Sequence, residues 1–159
     1  MSKTVKQSFE EGSISTPVQV GEWEVVHHDR IAIRRGFVRL VFLSPPDWGQ
    51  GVCLELRKGF IALSDGSKVR RLHTWHEPEY ISEVEYRVSC PEGELVVYNI
   101  FRHKGMDDTI YIGHNTGNAG MVLLDEALHY RRYGCSGFRL NQEFSPTDIE
   151  FEIDWEEEK

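Results

Sequence analysis

The densest run of chemistry-bearing residues is His73-Thr74-Trp75-His76-Glu77-Pro78-Glu79. Imidazoles and carboxylates packed into one short segment are the groups that hold divalent metals. Spacing restricts this reading. Side chains alternate faces along a strand, so His73 and His76 point to opposite sides and share a metal only where the chain turns. His73, His76 and Glu77 are the candidate metal ligands, with His27 as a further donor. In His27-His28-Asp29, neighbouring imidazoles on a strand face opposite ways and make no natural chelate. His27 falls on the apolar side set by Trp23 and Val25.

The second candidate site is aromatic. Trp48 lies in the loop Ser44-Pro45-Pro46-Asp47-Trp48-Gly49, Trp75 in a polar loop, and Tyr80 nearby. An indole offers a broad flat face and tolerates water at one edge, so a loop tryptophan can stack on a sugar ring or a partner peptide. Trp48, Trp75 and Tyr80 are therefore the expected ligand contacts. Support for nucleophilic catalysis is thin: there is no Gly-x-Ser-x-Gly elbow and no P-loop. Cys135 follows Arg131 and Arg132 but no base is placed beside it. The residues point to a non-enzymatic binding module for a small carbohydrate or a protein, without a cofactor. The alternative is a small metal-dependent enzyme or binder. In residue types, His73 to Glu79 resembles the metal-binding stretch of cupins, which are jelly rolls. Cupins separate their first two histidines by one residue; here two intervene.

Composition narrows the partners. The 159-residue chain carries a net charge of −8. Phosphate binding draws on clustered Lys and Arg, so nucleic acid is not an expected partner. An anionic membrane surface is disfavoured for the same reason. Cys53, Cys90 and Cys135 are odd in number and lack a CxxC pair, as expected of reduced thiols. Residues 1–17 show no apolar leader and no long apolar run occurs, so the expected location is the cytoplasm.

The elements that must position these groups read as strands. Period-two alternation appears at Trp23 to His27, Val84 to Cys90 and, most clearly, Ile149, Phe151, Ile153 and Trp155 against Glu150, Glu152 and Asp154. Ile31 to Leu43 is apolar on both faces, as in a central strand. Lys58-Gly59 and Asp65-Gly66 separate strands at 52–57, 60–63 and 69–72, which predicts a meander. Pro91-Glu92-Gly93 predicts a hairpin between 81–90 and 95–101. Gly21 reads as a bulge. Residues 125–133 favour a strand over a short helix capped by Asp125. The expected architecture is all-β: an antiparallel β-sandwich or jelly roll of about ten short strands. Its expected parts are a flexible arm at 1–17, one domain over 18–155 and an acidic tail at 156–159. Its edge strands leave self-association open.

Overall fold

The computed structural model of the chain describes residues 3–77, 83–114, 117–138 and 142–158. It is an antiparallel β-sandwich with more strands than the alternation suggests. The elements in chain order are α1 (Val5–Glu11), β1 (Val18–Val20), β2 (Trp23–Val25), β3 (Asp29–Ala32), β4 (Arg35–Phe42), β5 (Gln50–Glu55), β6 (Phe60–Ala62), β7 (Lys68–Val69), β8 (Arg71–Trp75), β9 (Glu83–Ser89), β10 (Glu94–Lys104), β11 (Ile110–Gly113), β12 (Gly120–Ala127), β13 (Tyr130–Ser136) and β14 (Ile149–Glu157).

A five-stranded sheet runs β11-β10-β5-β8, with β3 also paired to β10. A seven-stranded sheet runs β12-β13-β14-β4-β9-β6-β7, and β1 and β2 pair separately. The inner faces supply one apolar cluster. Ile31, Val52, Leu54, Leu95 and Val97 come from the smaller sheet, and Val38, Leu40, Phe42, Ile61, Val88, Tyr133, Phe151 and Ile153 from the larger. Several polar groups are paired across the gap, where an unmet one is costly. Thr74 and Tyr86 hydroxyls lie 2.8 Å apart. Asn99 Nδ2 donates to the Ser136 carbonyl at 3.0 Å, and Asp29 accepts from the Tyr133 hydroxyl and from Arg131 Nη1.

Several expected pairings are corrected. Residues 31–43 are not one strand: β3 belongs to the smaller sheet and β4 to the larger, and the chain crosses between them at Ile33-Arg34. The meander is likewise absent. β5 pairs with β8 and β10, whereas β6 pairs with β7 and β9, so Lys58-Gly59 is a crossover. Pro91-Glu92-Gly93 also joins the two sheets, since β9 pairs with β4 and β6, and β10 with β3, β5 and β11. Only Asp65-Gly66 of these turns closes a hairpin, β6–β7, with Leu63 N–H donating to the Ser67 carbonyl at 2.9 Å. Gly21, at φ 58°, sits in the turn between β1 and β2 rather than in a bulge. Residues 125–133 are the end of β12, a turn at Leu128-His129 and the start of β13; no helix forms there.

The two termini depart from expectation in the same direction. Residues 5–11 form α1 rather than a loose arm. Thr4 and Gln7 make a reciprocal capping box, and Val5 and Phe9, one turn apart, bury against Val25 and Val122. At the other end β14 continues through Glu157, pairing Glu156 with Phe37 and Glu157 with Gly36. Gly36 is required there: a Cβ would lie 1.9 Å from the Glu156 carbonyl oxygen. Glu156 to Glu158 are thus tied to the sheet, with Glu157 Oε1 accepting from Arg34 N–H at 2.8 Å. The alternation of β14 is as expected, its four apolar residues buried and its acids outward.

Candidate functional site

The outer face of the five-stranded sheet carries the groups of interest. Residues opposite one another in adjacent strands share a face. One row is Tyr98–Cys53–His73 and the next is Ile100–Gly51–Trp75. Gly51 is small because the Trp75 ring lies over it; an added Cβ would meet Trp75 Cε3 at 2.8 Å and the Thr74 carbonyl at 2.7 Å. Arg102 follows on β10, on the same face as Ile100.

Arg102 brings the two tryptophans together. Its guanidinium carbon is 4.2 Å from the centre of the Trp75 ring and 4.3 Å from that of Trp48. Arg102 Nε donates to the Trp48 carbonyl at 2.7 Å, and Nη2 pairs with Glu77. Stacking of a cation on two aromatic faces holds all three groups in place, each contact contributing about 0.5–2 kcal/mol. The 44–50 loop is fastened to the end of β8: Asp47 N–H donates to the His76 carbonyl at 2.8 Å and His76 N–H to the Gln50 carbonyl at 2.9 Å. Trp48 remains 44% exposed. Tyr80, the third expected contact, lies outside the described residues.

The three candidate metal ligands are not brought together. His73 stays on the outer face, edge-on to Trp75 at 5.9 Å. His76 turns inward and is 4% exposed; its ring stacks on Phe42 at 4.3 Å and its Nε2 lies 2.6 Å from the Ser44 carbonyl. Glu77 is held by Arg102. The odd spacing separates the histidines, and no turn reunites them. Among the described residues no three His, Cys, Asp or Glu side chains are grouped to hold a metal ion.

His73 instead belongs to a polar cluster farther along the same face. Arg71 Nε donates to Glu55 Oε1 at 2.9 Å, and the Tyr98 hydroxyl donates to Glu55 Oε2 at 3.2 Å. Tyr98 packs on His114 at 4.4 Å, and His114 on His27 at 5.3 Å. His27 and His28 approach through their Nδ1 atoms at 2.9 Å. They are not strand neighbours, because residues 27–28 lie between the ladders of β2 and β3 as the chain passes from β12 to β10. Burial pulls His27 down to about 4, with His114 and His28 adding to the effect. Burial also lowers His28, His73 and His114; Arg30 assists at His28, and Arg71 at His73 and His114, while Glu55 opposes all three shifts. Cys53 is pushed up to about 11 by burial, and Tyr98 is raised by burial and by Cys53. At neutral pH the cluster holds uncharged imidazoles, thiol and phenol. All three cysteines are free and buried.

Comparison with family models, curated proteins and solved structures gives no match. No helix among the described residues is long and apolar enough to cross a membrane.

Sequence reading did not single out Arg102 or the meeting of His27 with His114. Arg102 lies 54 residues from Trp48, and no local pattern links a strand-end arginine to a distant loop. Parity along β10, which puts Ile100 and Arg102 on one face, was the available signal.

Proposed function

We propose that the protein is a non-enzymatic binding module whose ligand is a carbohydrate. The observation that carries this reading is the Trp48–Arg102–Trp75 stack, in which Trp48 is fixed by its neighbours yet keeps an open face. A platform ordered before binding loses little side-chain freedom when the ligand arrives, and that favours affinity. An indole face accepts the C–H face of a sugar, while nearby carbonyl, carboxylate and amide groups serve its hydroxyls. The buried thiols and uncharged imidazoles supply no activated nucleophile, which is consistent with binding rather than turnover.

A glycan array probed with the full chain tests the reading. The expected result is selective binding that Trp48→Ala abolishes while the melting temperature stays near that of the parent. Retained binding in a folded Trp48→Ala protein overturns it.

A protein ligand is the second reading, favoured by a specific feature. Ile110, Tyr111 and Ile112 on the edge strand β11 are 52%, 47% and 50% exposed, and Ile112 lies opposite Arg102. An uncharged, apolar edge is a template for an added strand. Ile112→Lys separates the readings: it disrupts a protein partner at β11 and leaves glycan binding at Trp48 intact.

A further inference from the structure

We propose that the open end of the sandwich, next to the Trp48 platform, receives a single neutral sugar ring. This rests on the carbohydrate reading and adds to it a second contact, between the sheets instead of on the outer face. A cavity of about 310 Å³ is lined there by Gln50, Phe101, Arg102, His103, Phe138 and Asp148. Gln50 and Phe101 are opposite one another on β5 and β10, and His103 follows on the same side of β10. Phe138 and Asp148 come from the far sheet, just beyond β13 and just before β14. The buried Asn99–Ser136 hydrogen bond joins the sheets close by, two residues before Phe101 and one before Gly137. A mouth between sheets is where β-folds commonly seat small ligands, and this volume is at the lower end of the usual range, fitting one ring rather than a chain.

The lining specifies the chemistry of the occupant. The Phe138 ring lies 5.6 Å from Phe101 and 6.5 Å from His103, nearly parallel to the latter, so aromatic faces form the walls. Gln50 Oε1 is buried and has no hydrogen-bond partner among the described residues. Gly137 leaves room for that amide, since a Cβ there would stand 2.6 Å from Gln50 Nε2. Rotation about the terminal amide torsion, which is soft, turns the acceptor toward the cavity. A donor from the ligand then relieves the cost of a buried, unmet acceptor. Asp148 Oδ2 accepts from Gly137 N–H at 2.7 Å, which fixes its carboxylate at the rim. Arg102 is paired with Glu77, so its charge is met within the protein, and the Asp148 carboxylate of the wall disfavours an anionic occupant. A ring with apolar C–H faces, several hydroxyl donors and no net charge matches all of these features.

The test is an NMR titration of the isotopically labelled 159-residue chain with glucose, galactose, mannose and N-acetylglucosamine, each taken into the millimolar range. The expected result is that one or more sugars give saturable shifts of the Gln50 side-chain amide and the His103 ring. Gln50→Leu weakens binding about tenfold or more, and Gln50→Glu, which keeps an acceptor, restores it. Phe138→Ala, outside any strand, removes a wall and serves as a second variant where Gln50→Leu perturbs folding. Absence of saturable shifts with all four sugars overturns the cavity proposal, and glycan binding that still depends on Trp48 would then leave the platform reading standing. Saturable monosaccharide binding in Gln50→Leu equal to the parent's also overturns it. Monosaccharide binding that needs Gln50, in a protein whose glycan binding ignores Trp48→Ala, supports the cavity and removes the platform.

Discussion

On the outer face of the seven-stranded sheet, Arg39 bridges Asp154 at 2.8 Å and Glu83 at 3.1 Å, Arg132 faces Glu150, and the Tyr130 hydroxyl donates to Glu152. On the outer face of the five-stranded sheet, the central positions are Gly51, Cys53, Tyr98 and Ile100, with His73, Trp75 and His114 around them. Both faces follow the same period of two. They differ in what covers them. Long charged side chains on the first remain largely in water, where exposed ion pairs contribute about 0–1 kcal/mol each. Aromatic rings, Arg102 and the histidines close over the second, so Cys53 is fully buried although it lies on the opposite face from Val52 and Leu54. A strand face turned outward can therefore be a solvated ladder or a second dry layer, and in the dry layer titratable and aromatic groups are held by their neighbours.

The same substitution on each face gives the largest contrast. Cys53→Lys places a charge in a dry site beside Arg71 and His73, and is expected to cost about 4 kcal/mol or more or to prevent folding. Val41→Lys, opposite Glu83 and Glu152 on the other face, is expected to change stability by less than about 1 kcal/mol. Urea denaturation of both proteins checks this, and equal losses would erase the distinction between the faces.

Gly51→Ala sharpens the account of the stack. The new methyl meets the Trp75 ring and the Thr74 backbone, so the expected loss is about 1–3 kcal/mol, together with weakened glycan binding. Intact stability and binding would mean that Trp75 does not rest on Gly51.

Acidification probes the dry face. His27, His28, His73 and His114 have folded-state values below the ordinary 6.5. The unfolded chain binds protons first as pH falls, so their contribution is complete above about 6.5 and is lost toward the His27 value near 4. The melting temperature is expected to drop by several degrees between pH 7 and 4.5, and His27→Phe to flatten that drop. A flat profile for the parent protein contradicts the desolvated cluster.

The smallest effect belongs to Arg39→Ala. Its two ion pairs are exposed, and the expected change is at most about 1 kcal/mol, reduced further by salt. Thermal melts at low and high ionic strength measure it.

Local periodicity revealed much of the strand content. In β14 every second residue meets the core, and the alternation survives intact in the structure. Turn residues were legible for the same local reason, because Asp65-Gly66 must adopt the turn wherever it sits. Partner choice was not legible. Lys58-Gly59 and Pro91-Glu92-Gly93 both mark breaks between strands, yet each passes the chain to the opposite sheet. A turn signal describes two or three residues, whereas pairing is decided by which apolar faces must be covered. The helix α1 was missed because only Val5 and Phe9 carry its apolar face, too few to stand out from a polar segment.

Of the candidate site, Trp48 and Trp75 were visible as tryptophans among polar residues; the structure puts Trp75 at the end of β8 rather than in a loop, and sets the two on either side of Arg102. Their meeting depends on the order of β8, β5 and β10, which no stretch of sequence states. The histidine spacing of three already opposed a shared metal; the stacking of His76 on Phe42 completed the separation. By itself the sequence determined the period-two strands and the net negative charge, since these depend on neighbours in the chain and on composition. Only the tertiary structure decided that four histidines would lose water together and that an arginine would lie between two tryptophans, because desolvation and stacking are set by groups brought close from distant parts of the chain.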